Sequence, residues 1–183
     1  MMWDTFRWLN EPVGWEVRGD ELSVEVSPNT DFWRKTHYDF THDSGHFFFQ
    51  SVSGDFSVQV RLRGEYASLY DQGGLMLRAS EEYWTKCGIE YVEGVQQASV
   101  VVTNEYSDWS VTALPMNPRD VWFRIKRQGS SFEVFYSLDA EAFTMLRTAY
   151  LRCSGDLYVG VMCAAPQGPG FRIFFSDFAI APL

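Results

Sequence analysis

The chain has 183 residues, of which 46% are hydrophobic and 17% aromatic, and this composition excludes an intrinsically disordered protein. Its formal net charge of −9 argues against nucleic acid as a partner, because nucleic-acid binding depends on Lys and Arg side chains that neutralise phosphates. No run of 18 or more apolar residues occurs, so we expect no membrane association. The length predicts a single compact domain over residues 1–183.

Apolar and polar residues alternate with a period of two along much of the chain. Leu22, Val24 and Val26 alternate with polar residues, for example, and such alternation is typical of half-buried strands. The strands predicted in this way lie, in chain order, at 21–28, 55–64, 74–79, 83–92, 98–103, 121–128, 131–137, 157–163 and 171–180, with a further strand opening at Phe47.

Turn signals rich in Gly, Asp and Ser separate these segments at short intervals, at 18–20, 53–55, 71–74, 128–130, 154–156 and 166–170. No segment shows a helical periodicity of ten residues or more, which disfavours parallel βαβ units. About ten strands joined at hairpin spacing predict an all-β sandwich of two packed antiparallel sheets.

The segment 83–92 has an unusual polar face. Trp84, Lys86 and Glu90 share one face of the predicted strand, and we expect Arg78 beside Glu90 or Lys86 on the neighbouring strand, with Thr103 extending the same face. Such a ledge would suit a sugar, because hydroxyls bond to charged groups and C–H faces pack on an aromatic ring. An ordinary solvated face with cross-strand ion pairs remains the alternative.

The segment 30–48 holds all three histidines of the chain, His37, His42 and His46. Asp43, Ser44 and Gly45 interrupt this segment, so the histidines do not share a helix face. A closed zinc site needs four converging ligands, and only the number of histidines favours one here. We therefore predict no metal.

Catalytic motifs are also lacking. Glu90 has no second carboxylate near it in sequence on the same strand face, as a glucanase-type site requires, although Asp31 or Asp108 could reach it from a loop. The sequence contains no GxSxG, no HExxH, no phosphate-binding glycine loop and no Cys/His zinc pattern. We expect no cofactor, and the sequence leans against an enzyme.

Several segments together resemble a family of concanavalin A-like jelly-roll proteins of unknown function that includes regulation of enolase protein 1. They are WLNEP (8–12), TDFWRKTHYDF (30–40), DSGH (43–46), YDQGGLMLR (70–78), WTKCGIEYVEG (84–94), SVVVT (99–103), SDWS (107–110) and YSLD (136–139). The resemblance implies a concanavalin A-like lectin/glucanase sandwich whose ligands occupy the concave sheet. Ala140 stands where the family more usually has glycine, which affects only a turn.

The resemblance also supplies candidate site residues. Positions that match recurring polar and aromatic residues of the family include Asp31 and Asp108, and those we expect to bind a ligand are Trp33, His46, Gln72, Arg78, Lys86, Glu90, Thr103 and Trp109. His42 is not among them. Three functions stay open: a non-catalytic carbohydrate-binding protein, a regulatory module that contacts a metabolic enzyme, and a glycoside hydrolase.

The sequence favours a cytoplasmic location. The N-terminus lacks the basic start, apolar middle and small-residue cleavage site of a signal peptide. Cys87, Cys153 and Cys163 have no CxxC spacing, and we expect them to be buried, reduced thiols.

Overall fold

The computed structural model describes residues 2–183, and these residues form strands but no helix. The sixteen strands are β1 (Arg7–Leu9), β2 (Gly14–Arg18), β3 (Glu21–Val26), β4 (Phe32–Arg34), β5 (Thr41–Asp43), β6 (His46–Val52), β7 (Phe56–Gly64), β8 (Gln72–Arg78), β9 (Tyr83–Val92), β10 (Val95–Asn104), β11 (Tyr106–Ala113), β12 (Val121–Gln128), β13 (Ser131–Ser137), β14 (Thr144–Tyr150), β15 (Leu157–Ala164) and β16 (Phe171–Pro182).

Fourteen of these strands form two seven-stranded antiparallel sheets. The first sheet has the order β1-β6-β15-β8-β9-β10-β11, and the second has the order β14-β13-β12-β7-β16-β3-β2. Leu75 and Ile89 of the first sheet and Val60 and Phe123 of the second are at most 2% exposed and belong to one apolar cluster between the sheets. The predicted all-β, concanavalin A-like sandwich of two antiparallel sheets is confirmed.

The predicted strands agree with the structure where apolar and polar residues alternate. Strands β9, β12 and β13 have the predicted bounds, and the other six predicted segments overlap β3, β7, β8, β10, β15 and β16. Strands β1, β2, β4, β5, β11 and β14 were not predicted. They are short or lie at sheet edges, where most side chains of β11 and β14 are exposed and no alternation is needed.

The turn predicted at 71–74 is wrong for its last three residues, because Gln72, Gly73 and Gly74 begin strand β8. Gly74 lies opposite Gly88 of β9. A Cβ atom on Gly74 would overlap the backbone of Cys87 and Gly88, and one on Gly88 would overlap that of Gly73 and Gly74. The two glycines allow the backbones of β8 and β9 to approach closely.

The remaining strands, β4 and β5, form a hairpin with the connection 35–40, here called the covering hairpin. It lies against the outer face of the first sheet, the face that points away from the second sheet. Phe32 of the hairpin packs there with Phe47, Phe49, Met76, Trp84, Val101 and Met162 in a second apolar cluster. Part of the outer face is therefore covered by the chain itself.

The three cysteines are free thiols, and Cys87 and Cys163 are buried whereas Cys153 is half-buried. Burial raises the pKa of the Cys87 and Cys163 thiols well above the ordinary value. Within residues 2–183, no helix is long and apolar enough to cross a membrane.

Candidate functional site

A pocket of about 410 Å³ opens on the outer face of the first sheet, beside the covering hairpin. Its floor consists of Gln72, Lys86, Glu90 and Val101 from β8, β9 and β10. The covering hairpin and the segment before it supply one side, with Asn29, Thr30, Asp31, Trp33, Tyr38, Phe40 and His42, and the rest of the lining comes from Tyr70, Trp109, Pro166 and Gln167.

Lys86 is a buried residue of the floor, and other groups of the protein surround its ammonium. Its Nζ donates to the backbone carbonyl of Phe32 at 2.7 Å and to Oε1 of Gln72 at 2.6 Å. Nζ also lies 3.7 Å from Oδ1 of Asp31. Lys86 thereby ties the start of the covering hairpin to the sheet.

Glu90 is the second charged residue of the floor. Ser99 Oγ and Trp109 Nε1 both donate to its Oε2, at 2.8 and 2.7 Å. These bonds leave Oε1 available to a ligand. Burial raises the pKa of the Glu90 carboxyl above its ordinary value, although the nearby Lys86 ammonium and the two hydrogen bonds act in the opposite direction.

Aromatic rings line the hairpin side of the pocket. Trp33 Nε1 donates to the carbonyl of Thr36 at 3.0 Å, and the Trp33 ring meets Tyr38 edge to face at 6.0 Å between centroids. Tyr38 stacks on Phe40 at 5.2 Å, and Phe40 meets His42 edge to face at 4.6 Å. A continuous row of rings therefore borders the polar floor.

The connection of the covering hairpin has an unusual backbone that presents this row. Lys35, His37 and Asp39 have φ values of 61°, 68° and 54°, in the left-handed region that favours glycine. The turn is closed by the backbone N–H of Lys35, which donates to the carbonyl of Phe40 at 2.6 Å. Strained backbone of this kind tends to cluster at ligand sites.

Tyr70 and Trp109 add two further rings to the lining of the pocket. Their rings meet edge to face at 6.4 Å between centroids, and Trp109 is 39% exposed. Burial raises the pKa of the Tyr70 phenol above its ordinary value, and Tyr38 acts in the same direction through a side-chain hydrogen bond. The lining of the pocket thus combines several aromatic rings with the charged groups of the floor.

Five of the eight predicted ligand-binding residues line this pocket: Trp33, Gln72, Lys86, Glu90 and Trp109. Arg78, Thr103 and His46 are not in its lining. The expected neighbour of Glu90 or Lys86 on β8 was also wrong in register, because Arg78 lies opposite Trp84, whereas Gln72 lies opposite Glu90.

Arg78 and Thr103 support the covering hairpin instead. Arg78 makes a two-pronged ion pair with Asp43 of β5, with N–O distances of 2.6 and 2.7 Å. Thr103 shares a hydrogen bond with Ser107, whose Oγ accepts the backbone N–H of Arg34 in β4. Both residues therefore act on the position of the pocket wall.

His46 belongs to the interior side of the first sheet, opposite Cys163 of β15. Its Nε2 accepts the backbone N–H of Ser27 at 3.1 Å, and its Nδ1 bonds to the carbonyl of Asn10. Nε2 must be unprotonated to accept this bond, so Nδ1 carries the proton. Burial lowers the pKa of the imidazole accordingly.

The sequence did not single out several lining residues, chiefly Tyr38, Phe40, His42 and Tyr70. The TDFWRKTHYDF segment resembles the family, but the positions of its aromatic rings depend on the fold of the hairpin and could not be predicted from the sequence. Of the two carboxylates that could reach Glu90 from a loop, Asp31 lines the pocket. Asp108 instead pairs with Arg147 at an N–O distance of 3.0 Å. No group of three or more His, Cys, Asp or Glu residues able to hold a metal ion occurs in the described part of the chain.

Comparisons with known proteins give both a family and a fold. The model of the family described as "Protein of unknown function (DUF1349)" matches residues 8–183. "Regulation of enolase protein 1" from Saccharomyces cerevisiae is 38% identical over 177 residues, which cover 96% of this chain and 89% of that protein.

Many solved structures are similar over most of this chain, including the following two. "A functionally unknown protein from Saccharomyces cerevisiae" is 36% identical with a TM-score of 0.94, covering 98% of this chain and 97% of that one. The "carbohydrate binding module CBM66 from Bacillus subtilis" has a TM-score of 0.61 at 10% identity, with 94% of each chain covered. This second likeness concerns the fold alone.

Proposed function

The chain belongs to the family described as "Protein of unknown function (DUF1349)", and from this premise we propose that it binds a carbohydrate or sugar derivative in the pocket without catalysing a reaction on it. One observation carries this proposal: aromatic rings border a floor of charged and amide groups in a pocket of about 410 Å³. That volume lies within the range of small-molecule sites.

The geometry gives each group a distinct part in binding. The rings of Trp33 and Trp109 would pack against the C–H faces of a sugar ring. Glu90 Oε1 would accept a hydroxyl proton, since Ser99 and Trp109 occupy only Oε2. Gln72 forms hydrogen bonds with Lys86, Tyr70 and Asp31. It would therefore position the other groups of the floor and would not bind the ligand itself.

The test is calorimetric titration of the protein with common mono- and disaccharides. Trp109→Ala should weaken binding about fivefold or more, because the lost ring contact amounts to about 1 kcal/mol. Trp122→Ala removes a tryptophan from β12 of the second sheet and should leave the affinity unchanged. Equal weakening in both variants, or no saccharide bound by the unchanged protein, would refute the proposal.

A second candidate function is regulation through contact with a metabolic enzyme. The printed name of the yeast relative supports it. Exposed apolar side chains along one side of the sandwich, at Tyr106 on β11 and at Met145 and Tyr150 on β14, also support it because such residues are common in interfaces. Retention by immobilised enolase, with no retention on sugar columns, would favour this candidate over carbohydrate binding.

A glycoside hydrolase is the third candidate, and one feature favours it. Asp31 and Glu90 line the same pocket, so a second carboxylate does stand near Glu90. Lys86 lies beside both of them and would neutralise part of their charge. Release of a chromophore from nitrophenyl glycosides, abolished in Glu90→Gln, would establish hydrolysis and overturn the non-catalytic proposal.

We further propose that residues 1–183 form one domain in the cytoplasm. The apolar cluster shared by the two sheets supports one domain, and three unpaired cysteines support a reducing compartment. Imaging of a fluorescent fusion in living cells checks the location.

A further inference from the structure

The charges of the pocket are arranged unequally. Among the residues that line the pocket, Lys86 is the one Lys or Arg. Its ammonium already contacts Phe32, Gln72 and Asp31. An ammonium has three N–H donors, so little remains to bind an anionic group of a ligand. The pocket therefore has few cationic groups to offer an anion.

Its two carboxylates, in contrast, retain free oxygens. All the contacts of Asp31 with Phe32, Gln72 and Lys86 go to Oδ1. Those of Glu90 with Ser99 and Trp109 go to Oε2. Asp31 Oδ2 and Glu90 Oε1 are thus open to a hydrogen-bond donor, and a charged donor makes the stronger bond.

The walls add to the same preference. Aromatic faces carry partial negative charge and attract cations within about 6 Å of the ring centre. Trp33, Tyr38, Phe40, Tyr70 and Trp109 all line the pocket, and each brings such a ring. Burial disfavours ionised Glu90, and an ammonium seated next to it would restore the ionised form.

Resting on the proposed carbohydrate binding, we infer that the pocket selects a sugar that carries a protonated amine, and that it discriminates against sugars with carboxylate or phosphate groups. The amine would lie between the rings and the open oxygens of Glu90 and Asp31. The sugar hydroxyls would take the remaining polar positions of the floor.

The experiment uses matched sets of monosaccharides in the gluco, galacto and manno series, titrated calorimetrically at a pH where the amine is protonated. Each set contains the parent hexose, the 2-amino sugar and its N-acetyl form, and the gluco and galacto sets include the uronic acid. We expect one amino sugar to bind about tenfold or more tightly than its parent and N-acetyl forms, with the uronic acids weakest.

The Glu90→Gln variant isolates the charge. A glutamine can still accept the hydrogen bonds from Ser99 and Trp109, but an amide NH2 then replaces the open oxygen. The parent sugar should therefore bind somewhat more weakly, and the ratio of the affinities for the amino sugar and its parent, which is the readout, should fall to about one. Glu133→Gln on β13 of the second sheet removes the same charge far from the pocket and should keep that preference.

The outcomes separate the two proposals. Equal binding of the parent and amino sugars, or tighter binding of an uronic acid, would overturn the inference and leave carbohydrate binding standing. Binding of choline with no sugar bound would overturn the carbohydrate proposal together with the inference. An amine preference that survives in Glu90→Gln would overturn the assignment to Glu90.

Discussion

His46 illustrates how a single buried residue can make stability depend on pH. In the folded protein the imidazole is neutral, because its Nε2 accepts the Ser27 N–H and its Nδ1 bonds to Asn10. Burial lowers its pKa below the ordinary value of 6.5. As pH falls through that value, the unfolded chain therefore takes up a proton at His46, whereas the folded protein does not.

This difference predicts that His46 stabilises the fold fully above its unfolded pKa and progressively less as pH falls below it. Between about pH 7.5 and pH 5.5, the contribution of His46 to the free energy of unfolding should therefore fall. Urea unfolding at the two pH values gives the free energy of unfolding of the unchanged protein and of His46→Gln. The change in this free energy between the two pH values should differ between the two proteins, and the difference is the contribution of His46.

The comparison with a variant is needed because Glu90 acts in the opposite sense. Its pKa is raised in the folded protein, so its contribution to stability declines as pH rises through the interval between its unfolded and folded values. His42→Gln, at an exposed histidine, should retain the dependence of the unchanged protein. The same pH dependence in His46→Gln and the unchanged protein would show that His46 does not cause it.

At the level of single residues, the sequence predicts which face of a strand a side chain occupies but not what it meets. The period of two correctly placed Lys86 and Glu90 on one face of β9. It could not say that Arg78 faces Trp84, because this pairing depends on the register between β8 and β9. The use of Arg78 and Thr103 to hold a hairpin from elsewhere in the chain has no local signal at all.

Among the strands, the covering hairpin matters most, since it builds one wall of the pocket from two three-residue strands. Arg78 is 7% exposed and holds Asp43 at the end of this hairpin through two short N–O contacts. Loss of the guanidinium would leave the Asp43 carboxylate without its partner. The hairpin would then be held through the contacts of Lys86 and Ser107 with β4 and the bond of Asn10 to the carbonyl of Asp43.

We expect Arg78→Met to reduce the free energy of unfolding by about 3 kcal/mol, as for other broken ion pairs that are largely buried. It should also weaken any ligand of the pocket, because Tyr38, Phe40 and His42 sit on the loosened wall. Chemical denaturation gives the first quantity and calorimetric titration the second.

The matched control is Arg172→Met, since the ion pair of Arg172 with Glu25 joins side chains that are 46% and 59% exposed. Its loss should cost no more than about 1 kcal/mol and leave binding unaltered. Similar losses of stability in both variants would mean that the contact between Arg78 and Asp43 does not anchor the hairpin.

The strands that the sequence missed share one property: burial does not dictate their pattern. Strand β14 has no fully buried side chain and β11 has one, Ser107. The turn of the covering hairpin relies on Lys35, His37 and Asp39 in left-handed conformations, for which glycine is the usual residue. The wall of the site was therefore beyond prediction from local sequence, although its floor was not.

For the molecule as a whole, the core decides how the fold is lost. Leu22, Val60 and Phe123 from the second sheet belong to the same cluster as Leu75 and Ile89 from the first. Neither sheet can keep its inner face buried without the other, so exposure of one face removes much of the stabilisation of both. The two sheets should therefore unfold together.

We expect a single unfolding transition in urea, followed by two spectroscopic probes. Tryptophan fluorescence reports on the surroundings of the seven tryptophans, four of which, Trp8, Trp33, Trp84 and Trp109, lie in the first sheet or the covering hairpin. Far-ultraviolet circular dichroism reports on the strands of both sheets. The two midpoints should coincide. Trp84→Phe should lower both midpoints by the same amount, because a defect in one sheet of a cooperative unit destabilises the whole. A midpoint that moved for one probe alone would identify the sheets as separate folding units.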